Sequence, residues 1–460
     1  MSGVAQDIAA SVRDGRLSAR AVVDATLARI DALNPKVNAF TDVVGARARA
    51  AADRLDARRA KGEALGPLAS VPFAVKNLID VAGLPTRAGS KINRAHPPAA
   101  RDGALVRKLE AADAILVGAL NMGEYAYDFT GENEHDGPSR NPHDLAHMSG
   151  GSSGGSGSAV AAGLVPLALG SDTNGSIRVP SAFCGIFGLK PTYGRLSRAG
   201  SFPFVGSLDH LGPFARSVAD LAAAYDLMQG SDADDPVATM RSPQPALPGL
   251  DEGIASLRIA RAGGHFARYG YPESFAAVDK VAKALNVTAT IELPEASRAR
   301  AAAYIITAAE GAALHLDRLR KQAGDYDFAV RDRLIAGAAI PAAWVVRAQR
   351  FRRWYRDRVV ALFQDVDIIL APSTPCRAPK IGEQTFVLDG QTLPVRNNIG
   401  ILTQPISFIG LPVAAVPIWI DAGLPLGVQV IAAPWREDLA LRVARALEKT
   451  GIAQAPMAKL

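Results

Sequence analysis

The sequence predicts an α/β fold in which a mixed, mostly buried β-sheet is sandwiched between helices. Segments with helical spacing of apolar residues alternate along the chain with short apolar runs, an order that is typical of α/β layering. The short runs are almost continuously apolar, as expected for strands that are buried on both faces of a sheet. A chain of 460 residues, of which 48% are hydrophobic, is long enough to fill such a core.

The first helices are predicted from a cap and from helical spacing. Ser18 is suited to cap a helix whose apolar residues recur at i, i+4 and i+7, and this helix is predicted to end before Asn34-Pro35. An Ala/Arg-rich helix is predicted over residues 46–61. The elements that follow are, in order, a strand at 71–75, a helix at 105–112, a strand at 115–118, a helix at 159–163, strands at 165–169, 257–260 and 368–372, and a helix at 440–447.

Three longer stretches depart from this alternation. Residues 131–157 are rich in Gly, Ser, Asn and His, which is typical of a functional loop. Residues 231–253 are rich in Asp, Pro and Ser and are predicted to form a surface connection or a seam between two halves. Residues 299–363 have a largely helical pattern, so we predict a helical cap over the sheet, contributed by the C-terminal half.

Composition and charge exclude several classes of function. The net charge is only +6, and no nucleic-acid-binding motif accompanies the arginine-rich stretch at 347–358. This stretch fits a helix whose arginines form a solvated face or a docking face for a partner protein. No apolar run is long enough to cross a bilayer, and Met1–Gln6 shows no start of a signal peptide. Cys184 and Cys376 are too few for a disulfide framework, and no CxxC pair indicates zinc. We therefore predict a cytoplasmic protein that binds no metal, membrane or nucleic acid directly.

The segment MSGGSSGGSGS at 148–158 is the most distinctive part of the sequence. Its glycines are suited to cradle a phosphate, but no Gly-Lys-Ser/Thr follows them. Residues 150–154 match the GxSxG nucleophile elbow, which a later His210, His265 or His315 can complete, although 144–148 reads as a poor preceding strand. A flexible Gly/Ser linker explains the composition alone. The residues by themselves leave these interpretations open.

A second segment, at 167–180, joins a buried strand to a tight turn of small residues that ends on Ser176. Such a turn can aim successive backbone N–H groups at one point, which is what an oxyanion hole requires. This segment therefore indicates acyl transfer.

Together these segments resemble the amidase signature family. The matching motifs are GGSSGGS at 150–156, GSDTNGSIR at 170–178, PFAVKN at 72–77, NMGEY at 121–125, GLKPTYGR at 188–195 and GLPVAAVP at 410–417. The resemblance covers most of the chain and implies the amidase signature fold, formed by a single domain over residues 1–460. It further implies a catalytic core at about 70–215 and a variable, substrate-shaping segment at about 257–395.

The resemblance assigns a Ser–Ser–Lys triad to residues present here. Ser176 is the nucleophile, and Ser152, which follows a cis-like peptide bond in the family, relays the proton to Lys76. Lys76 must act as a neutral base, so burial must lower its pKa. In this mechanism an acyl-enzyme forms on Ser176 and water then releases the acid.

The oxyanion hole is likewise implied by the resemblance. The backbone N–H groups assigned to it are those of Thr173, Asn174, Gly175 and Ser176. Asn174 stands where many members have Gly, which would be unfavourable if this position required a positive φ. Asp172 and Arg178 are expected to support the turn through charge-assisted hydrogen bonds.

Two further stretches are similar to bacterial 1-carboxybiuret hydrolases of cyanuric acid (s-triazine) degradation, namely residues 76–91 and 130–133. Those enzymes remove ammonia from 1-carboxybiuret to give allophanate. The similarity implies a small, anionic amide substrate, no cofactor, a small helical partner subunit, and a homo- or hetero-oligomer. An anionic substrate needs a cation in the pocket, and the sequence does not identify the arginine that supplies it.

Three other functions remain open at this stage. The chain can be the glutamine-hydrolysing subunit of a Glu-tRNA amidotransferase-like complex, or an aryl-amide or indoleacetamide hydrolase with a wide apolar pocket. The third alternative is an inactive scaffold subunit, against which the presence of Lys76, Ser152 and Ser176 argues.

Overall fold

A mixed sheet of 11 strands lies at the centre of the protein and is surrounded by helices. The computed structural model describes residues 5–460. The predicted α/β class is confirmed, including the short, almost continuously apolar strands: every residue of Pro72–Lys76, Ile115–Leu120 and Leu167–Asp172 is buried.

The helices and strands have the following bounds. The helices are α1 (Ala5–Arg13), α2 (Ala19–Val37), α3 (Gly45–Ala60), α4 (Ala104–Ala111), α5 (Gly154–Ala161), α6 (Arg178–Cys184), α7 (Val218–Met228), α8 (Pro272–Ala284), α9 (Ala296–Gln322), α10 (Phe328–Ala338), α11 (Ala342–Leu362), α12 (Val395–Asn398), α13 (Gln404–Ser407) and α14 (Glu437–Lys449). The strands are β1 (Phe40–Val43), β2 (Pro72–Lys76), β3 (Ile115–Leu120), β4 (Arg140–Asn141), β5 (Asp144–Met148), β6 (Leu167–Asp172), β7 (Phe187–Lys190), β8 (His210–Ala215), β9 (Ile259–Ala262), β10 (Thr290–Ile291), β11 (Ile368–Pro372), β12 (Thr385–Leu388), β13 (Gln391–Pro394), β14 (Val413–Ile418) and β15 (Leu426–Ala432).

The order of the strands places the functional motifs next to one another. The sheet runs β1-β3-β2-β6-β8-β7-β14-β15-β11-β9-β10, and β2 is parallel to both β3 and β6. Parallel neighbours end at the same edge of a sheet, so the end of β2, which carries Lys76, lies beside the end of β6. The turn that bears Ser176 begins directly after β6.

The Gly/Ser-rich segment is a buried helix rather than a linker. Every residue of α5 is buried, so the flexible-linker interpretation is wrong. Small residues are required because α5 packs closely on neighbouring backbone: a Cβ at Gly155 would lie 2.5 Å from the carbonyl oxygen of Ala39 and 2.6 Å from the nitrogen of Asn121. Composition alone therefore misidentifies a close-packed helix as a flexible segment.

One local prediction was wrong, namely the end of α2 before Asn34-Pro35. The helix α2 continues through Pro35 to Val37, because Asn38, in the left-handed conformation, closes it with an N–H bond of 2.7 Å to the Asn34 carbonyl. Residues 144–148 form a strand, β5, which pairs with β4 in a separate two-stranded sheet and makes an isolated bridge to Lys380. It is therefore not the buried strand that a nucleophile elbow requires.

The predicted helical cap is confirmed as α9, α10 and α11, with α9 packed against both of the others. Residues 231–253 form turns and bends without a helix or strand, as predicted for a connection. Within residues 5–460, no helix combines the length and the apolar character needed to cross a membrane. The prediction about a signal peptide rests largely on Met1–Val4, which lie outside the described residues.

Candidate active site

Lys76 is the last residue of β2, and its side chain is completely buried. Its Nζ lies 2.6 Å from Ser152 Oγ and 2.8 Å from Ser171 Oγ, both hydrogen-bond distances. Ser171 belongs to β6, the parallel neighbour of β2. The structure thus joins two of the three predicted triad residues directly and adds Ser171, which the sequence analysis did not single out.

Burial lowers the pKa of Lys76 to about 7, although the carboxylates of Asp209, Asp172 and Asp128 oppose the shift. The ammonium form loses its hydration in the interior, whereas the neutral amine loses little. A large fraction of Lys76 is therefore uncharged near neutral pH and able to accept a proton, which an exposed lysine is not.

Ser152 is held on a loop that neighbouring backbone fixes on both sides. The Gly151–Ser152 peptide bond is cis. Gly151 N–H donates to the Phe129 carbonyl at 2.8 Å, and the Ser152 carbonyl accepts from Gly123 N–H at 3.2 Å. These bonds position the Ser152 hydroxyl beside Lys76.

Asp128 organises the adjacent segment at 129–131, to which the Ser152 loop is hydrogen-bonded, and was not identified from the sequence. Its buried carboxylate accepts from Thr130 N–H at 2.9 Å, from Gly131 N–H at 2.7 Å and from a terminal nitrogen of Arg396 at 2.7 Å. Arg396 also binds Glu132 at 3.0 Å. Since Arg396 lies 268 positions away along the chain, no local sequence pattern indicates this ion pair.

The turn after β6 presents a row of backbone donors. None of the described hydrogen bonds of residues 5–460 uses the backbone N–H groups at positions 173–176. Gly175 has a φ of +147°, and a Cβ there would collide with the Thr403 hydroxyl, so glycine is required. That hydroxyl donates to the Asn174 carbonyl at 2.6 Å and fixes the turn.

Asn174 does not adopt the positive φ that would be unfavourable for a residue other than glycine, because it is not among the described non-glycine residues with positive φ. Its side-chain Nδ2 instead donates to Thr307 Oγ1 of α9 at 3.0 Å. The asparagine therefore links the turn to the helical cap.

Asp172 and Arg178 form a fully buried ion pair at the start of α6. Arg178 approaches the two carboxylate oxygens at 2.9 and 3.0 Å, and the Asp172 carboxylate also accepts from Ile177 N–H at 3.1 Å. Burial by itself would raise the pKa of Asp172, but the charge and hydrogen bonds of Arg178, together with Lys190 and His210, outweigh burial and hold that pKa far below its usual range. The pair fixes both ends of the turn.

A second buried carboxylate, Asp209, supports the turn from the other side. It accepts from Thr173 Oγ1 at 2.6 Å and from the N–H groups of Phe204 and Val205 at 2.8 and 2.9 Å. Burial raises the pKa of Asp209 despite these donors. Asp209 lies outside the motifs quoted above, and its place at the site was not predicted from the sequence.

Ser176, which is 3% exposed, opens onto a small cavity. The sheet side contributes Thr173, Asn174 and Ser176, and the cap contributes Tyr304 and Thr307 from α9. Arg333 from α10 completes the wall. A small cavity of this kind is suited to a small amide.

The histidine alternative finds no support in the described part of the chain. His210 Nδ1 lies 3.0 Å from the Asp172 carbonyl, His265 contacts Ser297 and His315 contacts Tyr326. No described hydrogen bond joins any of them to a serine of the Gly/Ser segment or to Ser176. Among the residues described, no group of three or more His, Cys, Asp or Glu side chains is arranged to hold a metal.

The chain belongs to the amidase family, whose model matches residues 21–441. Fold and family together define an amide-cleaving hydrolase with the amidase signature fold.

Individual relatives show which amide-cleaving hydrolases the chain is similar to. The chain is 54% identical to AtzE, a 1-carboxybiuret hydrolase subunit of Pseudomonas sp. (strain ADP), over 97% of this chain and 98% of that protein. It is 38% identical to a glutamyl-tRNA(Gln) amidotransferase subunit of Roseiflexus castenholzii (strain DSM 13941 / HLO8), over 95% and 93% of the two chains. A solved structure of an s-triazine catabolic enzyme, described as a vestigial protein complex, superposes with a TM-score of 0.97 at 54% identity and covers 99% of this chain and 100% of that one.

Proposed function

We propose that the chain hydrolyses 1-carboxybiuret with release of ammonia, through an acyl-enzyme on Ser176. The observation that carries the mechanism is the buried Lys76, whose Nζ lies 2.6 Å from Ser152 Oγ at the edge of the sheet where the Ser176 turn begins. The substrate is supported by the 54% identity to a 1-carboxybiuret hydrolase subunit over almost the full length of both chains.

The first step is acylation. Ser176 Oγ attacks the carbonyl carbon of the terminal amide while its proton passes through Ser152 to neutral Lys76. The unused N–H groups of residues 173–176 face the developing oxyanion, and removing one such donor costs roughly 3 kcal/mol of transition-state stabilisation. The C–N bond then breaks as the proton returns through Ser152 to the departing ammonia.

Deacylation repeats the relay with water as the nucleophile. Water adds to the acyl carbon, its proton moves to Lys76, and the Ser176–acyl bond breaks as Ser176 regains a proton. The atom balance shows that hydrolysis alone converts the terminal amide into a second carbamate group. Allophanate therefore results when one of the two carbamates loses CO₂.

The remaining features of the proposal concern assembly and location. We infer a single domain over residues 1–460 in which the substrate-shaping segment at about 257–395 supplies Tyr304, Thr307 and Arg333 to the cavity. We propose an oligomer with a small helical partner: a protein complex is described for the similar structure, and the small size and helical character of the partner rest on the resemblance alone. A cytoplasmic location is supported by Cys184 and Cys376, which are buried and not bridged to each other.

Ammonia release from freshly generated 1-carboxybiuret, biuret, glutamine, malonamide and indoleacetamide tests the function. The wild type, Ser176→Ala and the control Ser242→Ala, an exposed serine of the surface connection, are compared with any co-purifying partner retained. We expect 1-carboxybiuret to be turned over fastest and only Ser176→Ala to be inactive. Faster turnover of glutamine or indoleacetamide would retain the triad and replace the substrate, whereas an active Ser176→Ala would contradict the mechanism.

A further inference from the structure

Arg396, on the short helix α12, joins two carboxylates of the segment at 128–132. Its Nη1 donates to Asp128 at 2.7 Å, and its Nη2 donates to Glu132 at 3.0 Å. The Asp128 side chain is 1% exposed and that of Arg396 is 24% exposed. One guanidinium therefore binds both ends of the segment and ties it to α12.

The same segment supports the loop that carries Ser152. Two of its carbonyls accept, at 2.8 and 3.1 Å, from the N–H groups of the glycines that precede Ser152. The Asp128 carboxylate also packs on this loop, since a Cβ at Gly151 would lie 2.5 Å from one of its oxygens. A shift of the segment would consequently displace the hydroxyl that lies 2.6 Å from Lys76 Nζ.

The charge of Arg396 also bears on the base. Burial lowers the pKa of Lys76, and the carboxylates that oppose this shift are those of Asp209, Asp172 and Asp128. Each of the three lies near an arginine; the pairs of opposite charge are Asp209–Arg198, Asp172–Arg178 and Asp128–Arg396. A carboxylate that is balanced by a neighbouring cation raises the pKa of a lysine less than an unbalanced one does.

Asp128 would stay ionised without Arg396, because other donors also bind its carboxylate. These are the N–H groups of Thr130 and Gly131 and the Thr130 hydroxyl, at 2.7 to 2.9 Å. Hydrogen bonds of this kind favour the charged form of a carboxylate. On the other side of the ion pair, Asp327, which caps α10, also acts on Arg396 and favours its charged form.

We propose that Arg396 is a positioning residue of the proton relay, which holds the Ser152 loop beside Lys76 and balances the Asp128 charge near that base. This inference rests on the proposed function, since it assumes a relay through Ser152, and it adds a residue outside the triad and outside the motifs quoted above. The next residue of α12, Asn397, lines the cavity of Ser176. The short helix thus connects the cavity wall to the relay.

The pH dependence of Ser176 labelling by a serine-directed fluorophosphonate tests this proposal independently of the amide. The second-order rate constant reports how well the nucleophile is activated. It should fall with decreasing pH below the pKa of Lys76, which is about 7, and this part of the profile is its acid limb. Ammonia release from the amide that the wild type hydrolyses fastest is measured in parallel.

Arg396→Met leaves Asp128 without its cation and the segment without its link to α12. We expect the acid limb to move to higher pH by about 0.5 units and the plateau above it to fall about tenfold, as Ser152 loses its position. Arg396→Lys keeps the charge without the paired donors, so it should retain the wild-type limb and lose only part of the plateau.

The sign of the shift separates a charge effect from general damage to the fold. Asp128→Asn removes a negative charge, so its acid limb should move to lower pH, opposite to that of Arg396→Met. The double variant lacks both charges, and its limb should return towards the wild-type position.

Arg47→Met is the matched control. Arg47 is 27% exposed and likewise binds two carboxylates, Asp102 and Glu110, at 2.7 and 2.8 Å. Neither of them is among the carboxylates that act on Lys76. The thermal midpoint should fall in both methionine variants, whereas only Arg396→Met should change the acid limb.

The outcomes distinguish this inference from the proposed function. An unchanged profile in Arg396→Met would overturn the proposal, as would an equal change in Arg47→Met or limbs that move in the same direction in Arg396→Met and Asp128→Asn. Labelling that is unaffected by Lys76→Met would overturn the relay together with this proposal. Faster turnover of an amide other than 1-carboxybiuret would replace the substrate alone, and the labelling profiles would still establish or overturn the role of Arg396.

Discussion

Lys76 at the end of β2 and Lys190 at the end of β7 are both completely buried, and burial lowers the pKa of each to about 7. Their surroundings differ. Nζ of Lys76 is within hydrogen-bond distance of two serine hydroxyls, whereas Nζ of Lys190 donates to the carbonyl of Pro191 at 3.0 Å. The Arg178 charge also contributes to the low pKa of Lys190.

The comparison shows that a low lysine pKa does not by itself identify a catalytic base. A base needs a partner that can deliver a proton, and a carbonyl oxygen has none to give. Lys76 has such a partner in Ser152, and the turn with unused N–H groups begins at the same edge of the sheet. The predictions below test whether this difference in partners separates the two lysines in function.

The largest expected effect is the loss of activity when Lys76 is replaced. Lys76→Met removes the proton acceptor, so kcat should fall by at least about 1,000-fold. Lys190→Met removes an equally buried amine that has no hydroxyl partner, so kcat should stay within about 10-fold of wild type. Steady-state ammonia release at pH 8 measures both, and equal losses in the two variants would contradict the comparison.

The pH dependence of the reaction should report Lys76 alone. Lys76 is active when neutral, so kcat/KM should fall about tenfold per pH unit below the pKa of about 7 and level off above it. Lys190→Met should show the same acid limb, since Lys190 does not take part in proton transfer. A pH–rate profile from 5.5 to 9 tests this prediction. An acid limb that disappears in Lys190→Met would show that the limb reports Lys190 and not Lys76.

The sequence predicted the strands of the central sheet better than the glycine-rich helix α5 and the end of α2. Strands such as β2, β3 and β11 were found because buried parallel strands are continuously apolar. The helix α5 was recognised only at its C-terminal end, because its glycines and serines serve close packing and have low helix propensity. The continuation of α2 past Pro35 depends on the cap at Asn38, which a proline rule overlooks.

For the site, the sequence identified residues that lie in motifs and missed those that are joined across the fold. Lys76, Ser152 and Ser176 stand in runs that resemble the family. Asp128 and Asp209 were missed because their contacts are with other segments of the chain: Asp128 pairs with Arg396, 268 positions away. Tertiary contacts of this range leave no periodicity or spacing to read in a single sequence.

The next prediction concerns stability. The pKa of Lys190 is about 7 in the folded protein against 10.5 when exposed, so between these values the unfolded chain binds more protons and stability rises with pH. The free-energy cost of burying the charged form of Lys190 is fully present below pH 7 and disappears near pH 10.5. Lys190→Met should therefore raise the free energy of unfolding by about 2 kcal/mol at pH 6. This gain is smaller than the full pKa shift of Lys190 implies, because the variant also loses the favourable interactions of the lysine charge with Asp172 and Glu437. Urea unfolding at pH 6 and pH 10 should show this gain shrinking, and a gain that grows with pH would contradict burial as the cause.

The smallest expected effect comes from a variant that changes the pKa of Lys76 without removing its amine. Asp209 is the carboxylate that most strongly opposes the lowered pKa of Lys76, so Asp209→Asn should move the acid limb of kcat/KM to lower pH, by about 0.5 units for a partly screened charge. The asparagine oxygen can accept from the N–H groups of Phe204 and Val205 while its Nδ2 donates to Thr173 Oγ1, so the turn should keep its geometry. Glu437 acts in the same way on Lys190, which makes Glu437→Gln the matched control with an unchanged acid limb. A limb that moves to higher pH in Asp209→Asn would mean that Asp209 acts through the turn and not through its charge on Lys76.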